Sequence, residues 1–396
     1  MADKKWLAFF VLAGLVAAQG PNIGKVPAFE PDPTFPRLPN NWALGNVAGV
    51  AVDRHDNVWI IHRPRTVAAD KTAAPPVLEF DAAGKFLQAW GGDGTGFDWP
   101  DSEHNIFVDS KDNVWISGSS PGGQSKTTRS DDMLLRFTTA GKFSLEVGGR
   151  SVSQGSKDPK SVNKPGDLLV SAKTNEIYLS DGYGNRRVIV LDAETGAFKR
   201  MWGAFGKPPE DDADSGGRGA SGGPAGVRPG RAGAAAALET ECDGPARFSS
   251  PVHGIAVSND GTVYVADRSN RRAQMFTTEG KYLGQFFVNR AGPSPDSVSG
   301  IALSPDKDQT YLYMADFGNS RVVVADRRKL EILYQFGKRG TAPGEFQGLH
   351  HIAVDSKGNL YTAEVAPGAR VQRFVYKGLS AKLPPNALTA AELSAK

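Results

Sequence analysis

Three of the six histidines in this chain, His104, His253 and His350, each stand two residues before the first apolar position of a short apolar-x-apolar run. Neutral imidazoles are ligands for zinc, and three of them with an open fourth position make the kind of site that does chemistry rather than bracing a fold. Copper, nickel or cobalt could compete for the same nitrogens, so zinc or another divalent transition metal is the expected cofactor. A single strand-start histidine bonded to nearby backbone would need no metal. Three at one frame position favour the metal. The remaining histidines fall elsewhere: His55 in a turn at the far face, His62 at a strand end, and His351 beside His350, pointing away from it by the two-residue period of a strand. The last two read as locally packed.

Positioning three distant residues around one ion requires a repeating frame, and the sequence has one. An inner apolar-x-apolar strand, a polar turn and an aromatic or β-branched second strand occur six times, as in Gly49-Val-Ala-Val-Asp53 followed by Asn57-Val-Trp-Ile-Ile61. A third strand such as Ala273-Gln-Met-Phe276 and a fourth such as Phe86-Leu-Gln-Ala-Trp90 complete the unit. Four antiparallel strands per repeat make a propeller blade, so the predicted fold is an all-β, six-bladed β-propeller. The sixth repeat lacks a fourth strand. An N-terminal strand around Trp42 is expected to supply it and close the ring, removing exposed edges. The histidines then come from blades two, four and six, about 120° apart on the inner ring, while blades one, three and five carry Ala48, Gly166 and Ser299 at that position.

Second strands return to the face where inner strands begin, so their ends share the histidines' mouth. Arg63 in blade one and Arg268 in blade four align there, and blade three offers Tyr183. Two guanidiniums and a phenol beside a metal suit a small-molecule or peptide substrate bearing a carboxylate. The recurrent Asp-Asn-Arg sets at 181/185/187, 267/270/272 and 316/319/321 read instead as scaffold joining second strand to third.

The remainder of the 396 residues bounds the class. Lys4 and Lys5 precede an apolar run to Ala18, which reads as a signal peptide over 1–18 and a periplasmic or secreted protein. That run is too short for a membrane span of about 20 residues. The propeller is expected over 19–376, interrupted at 207–244 by a flexible Gly, Ala and Pro-rich insert, and followed by a tail over 377–396 with a short helix after Pro385. Basic and acidic residues number 46 and 43, leaving no electrostatic footprint for nucleic acid. The lone Cys242 allows no internal disulfide, and a monomer is expected.

The segments Gly49 to Arg63, Ser180-Asp-Gly-Tyr-Gly-Asn-Arg-Arg-Val188, and Pro251 to Arg268 resemble the NHL-repeat propellers. Within them the likeness is to the lyase half of peptidylglycine alpha-amidating enzymes, peptidyl-alpha-hydroxyglycine alpha-amidating lyase. The resemblance implies zinc on His104, His253 and His350, proton transfer by Tyr183, and a carboxylate held by Arg63 and Arg268. It implies cleavage of a peptidyl or N-acyl alpha-hydroxyglycine to an amide and glyoxylate. The family's aspartate associated with a structural calcium is His351 here, so calcium is not expected, and the family's methionine two before the last histidine is Gly348, which would open the pocket. Two other readings stay open: a non-catalytic NHL propeller binding a ligand or protein partner at its mouth, and a metal-dependent hydrolase or lactonase.

Overall fold

Each inner strand ends in a turn whose chemistry is written in the sequence. Asp53 accepts the backbone N–H groups of His55 and Asn57 at 2.8 and 2.9 Å and, with its other oxygen, the Trp59 indole N–H at 3.0 Å. Asp109 does the same for Lys111, Asn113 and Trp115, and Asp355 for Lys357, Asn359 and the Tyr361 hydroxyl. The carboxylate thus closes the hairpin and ties it to the core aromatic of the second strand.

A computed structural model describes residues 24–121, 127–211, 244–290, 294–384 and 387–389. Six sheets of four antiparallel strands run from centre to rim, one of them with a short fifth strand at its edge. Their inner strands, Asn46–Val52, Glu103–Val108, Asp167–Ser171, Val252–Val257, Val298–Leu303 and Leu349–Val354, pack successively on one another and close the ring. Among the described residues there is no α-helix, and no helix is long and apolar enough to cross a membrane. Apolar clusters lie between blades, such as Trp59, Ile61 and Val77 of blade one with Ile106, Ile116 and Phe137 of blade two. The scaffold reading of the Asp-Asn-Arg loops holds for Asp181–Arg187 and Asp267–Arg272, buried pairs at 2.9 and 2.7 Å. In blade five Asn319 bonds Asp316 as expected, but Asn289 stands on the carboxylate where Arg187 and Arg272 stand in the other two.

An N-terminal strand does close the last blade, but it is not the segment around Trp42. Val26–Asp32 pairs with the long third strand Arg370–Ser380, whereas Trp42–Ala43 makes a short parallel pair with Thr72–Ala73. Burial decides between them: Phe29 is fully buried against Tyr313, Phe336 and Tyr376, while Trp42 is only half-buried beside Phe86. The expected short helix after Pro385 is replaced at Leu388–Thr389 by a strand on the outer edge of blade five, and 390–396 lie outside the described residues. So do the 1–18 segment, Cys242 and most of the insert, though at its near end Asp211 accepts from the Ser156 backbone. If Val26–Asp32 is the ring's closure, Phe29→Ala should destabilise by roughly 3–5 kcal/mol in chemical denaturation. Trp42→Ala should cost clearly less, and the reverse order would restore Trp42 as the closing residue.

Candidate metal centre

The inner strands are not regular where the histidines sit. In blade two Glu103 pairs with Gly118 and Asn105 with Ser117, leaving His104 as an extra residue; in blade six Leu349 pairs with Glu364 and His351 with Ala363, leaving His350. Blade four skips His253 and Gly254 in the same way, and blades one and five skip Ala48 and Ser299. A bulge of this kind bends the strand and re-aims the extra side chain. Here it turns the imidazoles onto the axis.

His104, His253 and His350 meet there. Their ring centroids are 4.6–5.1 Å apart, and one ligand nitrogen from each lies within 4.8 Å of the others. Each ring is held by its other nitrogen. Nδ1 of His104 donates to the Gly166 carbonyl at 2.8 Å, Nδ1 of His253 to Ser299 at 2.6 Å and Nδ1 of His350 to Ala48 at 2.6 Å. The acceptors are the frame-equivalent residues of the next blades round, so even blades supply imidazoles and odd blades the carbonyls that orient them. Small residues are needed there: a side chain at Gly166 would meet the carbonyls of Val252 and His253 at 2.7 and 2.8 Å.

Carbonyls only accept, so every Nδ1 must carry hydrogen and every Nε2 presents a lone pair. The Nε2 atoms of His253 and His350 face each other at 3.0 Å. Two lone pairs at that distance repel unless a cation lies between them. A proton is disfavoured, because burial and then the neighbouring histidines and arginines hold all three imidazoles well below the usual range. The donor set fits a divalent ion, since tetrahedral nitrogen ligands at about 2.0–2.1 Å from zinc stand roughly 3.3 Å apart.

Tyr183 completes the cluster, its hydroxyl 3.1 Å from Nε2 of both His104 and His253. Arg268 Nη1 donates to that hydroxyl at 3.5 Å, while its Nη2 pairs with Asp296 at 3.0 Å and its guanidinium lies 4.6 Å over Phe317. Arg63 reaches the site from across the ring, fixed by the Glu103 carbonyl at 2.9 Å and the Ser119 hydroxyl at 3.4 Å. Burial pushes the Tyr183 phenol up, and the charges of Arg268 and Arg63 pull against it without cancelling it.

Two other positions differ from expectation. His351 does not point away: the bulge breaks strict alternation, and its ring lies 5.2 Å from His350 and 5.6 Å from His253. It shares the axis below the cluster with Asp167, whose oxygens accept from Asn105 Nδ2, Leu168 N and Ile255 N at 2.7–3.1 Å. One carboxylate so committed, an amide and an imidazole do not suit calcium, which takes six to eight oxygens. Gly348 does not open the pocket either: at φ +76° its side chain would strike the carbonyls of Val365 and Ala366 at 2.7 Å, so backbone geometry requires the glycine. Phe317 and Asp296 had gone unnoticed, although Phe317 occupies in blade five the frame position of Arg63 and Arg268. His55 is exposed near Asp112, and His62 is buried between the Gly45 N–H and the Pro75 carbonyl.

The fold and site define a six-bladed propeller with a tri-histidine cluster on its axis. No protein-family model matches the chain. It is similar in sequence to human NHL repeat-containing protein 3, 27% identical over 311 residues covering 76% of this chain and 73% of that one. It is also similar to peptidyl-alpha-hydroxyglycine alpha-amidating lyase 1 of Drosophila melanogaster, 23% identical over 378 residues covering 86% and 59%. Its fold resembles that of a protein of unknown function from Bacteroides thetaiotaomicron, with TM-score 0.52 and 12% identity over 89% of this chain and 77% of that one. The chain thus resembles both NHL-repeat proteins and amidating lyases.

Removing one ligand should be decisive. His253→Ala is expected to lose stoichiometric metal by elemental analysis, and His55→Ala to keep it; equal loss would refute the sorting of the histidines. Acid should also destabilise the metal-free protein. Burial lowers His62 to about 4 from an ordinary 6.5, so the unfolded chain takes up that proton first. Stability is therefore full above about pH 6.5 and falls as pH drops toward 4, by up to ~1.4 kcal/mol per unit from His62 alone. The three cluster histidines add to the slope. Urea titrations between pH 7.5 and 5 should show it, and a flat profile would contradict neutral buried imidazoles.

Proposed function

We propose that this protein is a zinc-dependent lyase that splits the C–N bond of an N-acyl or peptidyl alpha-hydroxyglycine into an amide and glyoxylate. The observation that carries the reading is the junction of the three inward Nε2 atoms with a buried phenol and two guanidiniums, in a chain similar to amidating lyases.

His104, His253 and His350 would hold the ion, which would supply Lewis acidity toward the substrate's oxygens. Arg268, kept charged by Tyr183 and Asp296 against its burial, would bind the substrate carboxylate, with Arg63 opposite. Their rigid anchoring means that little orientation is lost on binding. The reaction needs no redox partner. The C–N bond breaks, the hydroxyl carbon becomes the aldehyde carbon of glyoxylate, and the hydroxyl proton must end on the departing nitrogen. Tyr183 is placed to relay it, giving its own proton to the nitrogen and taking the hydroxyl's in return. A phenol that burial keeps protonated suits the donating half of that exchange.

The test is glyoxylate release from alpha-hydroxyhippurate by metal-loaded protein, before and after chelation. Turnover should depend on zinc, and Tyr183→Phe should lower kcat by roughly 10²–10⁴-fold with zinc content unchanged. Stoichiometric zinc without turnover would sink the lyase and favour the non-catalytic NHL propeller, a reading supported by the similarity to NHL repeat-containing protein 3.

A further inference from the structure

Six positions, one per blade, stand at the end of the second strand or just past it, on the face of the histidine cluster. Going round the ring they are Arg63, Ser119, Gly182, Arg268, Phe317 and Val365, matched in five blades by the pairings that flank the bulge and in blade three, whose register is unbroken, by Asp181 standing where Asp267 and Asp316 do. The rim is therefore two-sided. Blades one to four present cations and hydroxyls, with Tyr183 beside Gly182, whereas blades five and six present a phenyl ring and a valine.

Asp296, in the chain leading into blade five, reaches the mouth but is committed to Arg268 and Ser269 at 3.0 and 2.7 Å; the other carboxylates of the apolar sector do not reach it. Glu364 is buried and accepts from Gln347 N, Arg370 Nε and Gln372 Nε2 at 2.6–2.8 Å, and Asp316 is buried among Asn289 and Asn319. Phe317 and Val365 themselves are only partly buried. The Phe317 ring lies 6.5 Å from the His350 ring, edge-on, so it borders the histidine cluster rather than the rim's outer slope. Arg268 covers it from one side.

We propose that Phe317 and Val365 determine specificity, forming a shelf that binds the acyl side of the substrate and selects a flat, apolar acyl group. This rests on the lyase reading. With the carboxylate on the arginines and the reacting carbon at the metal, the acyl group leaves the metal on the remaining side, over blades five and six. An aromatic acyl group there gains ring contact and loses apolar surface from water, while a charged one would be desolvated without a partner.

Non-reacting probes separate this from catalysis. Binding of hippurate and N-acetylglycine, which share the carboxylate and differ in the acyl group, is measured by calorimetry on zinc-loaded full-length protein. Hippurate should bind at least tenfold more tightly, and Phe317→Ala should erase most of that difference with zinc content unchanged. Phe317 also touches Arg268, so Val365→Ser, at the neighbouring rim position, serves as a second variant and should reduce the preference too. Equal affinity for the two probes, no binding of either, or a preference surviving both variants would overturn the shelf. Hippurate binding with the expected preference, but no glyoxylate from alpha-hydroxyhippurate, would leave the shelf standing and defeat the lyase.

Discussion

The site depends on a hydrogen bond repeated three times: an imidazole Nδ1–H from one blade to the carbonyl of the equivalent residue in the next. It does three things together. It fixes the tautomer, leaving an Nε2 lone pair facing the axis; it fixes the ring plane; and it couples each imidazole to the spacing between blades, so that a metal site formed here is only as good as the closure of the ring. A six-fold frame suits this arrangement because alternate positions can take opposite roles. A three-ligand site on an axis therefore needs no special loop, only bulges that turn the side chains inward.

Around that cluster the charges are arranged asymmetrically. Arg268 is held between Asp296, Tyr183 and the face of Phe317, and Arg63 between Glu103 and Ser119. Both arginines sit among fixed partners, so they can meet an anion without reorganising. The phenol lies against two ligand nitrogens in the same buried space, where its proton has few other destinations.

Much of this was legible in the sequence because propellers repeat. The recurring inner strand gave a frame, and the frame alone placed His104, His253, His350, Arg63, Tyr183 and Arg268 at one mouth. What it could not give was anything set by departures from the repeat. His351 was misdirected because alternation assumes a regular strand, and the bulge that breaks it leaves no mark in a two-residue period. The closing strand is not the segment around Trp42 just ahead of the first repeat but Val26–Asp32, whose two prolines and two acidic residues hide its strand pattern. The depth of Tyr183 is set by packing between blades, which a repeat frame does not show. Phe317 stands at a position the frame marks, but a phenyl ring carries no polar signal of its role.

The most direct test is X-ray absorption at the zinc edge of the metal-loaded protein, together with a crystal structure of the same sample. One zinc per chain, bound through Nε2 of His104, His253 and His350 at about 2.0–2.1 Å with each Nδ1 on its carbonyl, is the expected result. Zinc bound elsewhere, or with fewer than three of these imidazoles, would contradict the account.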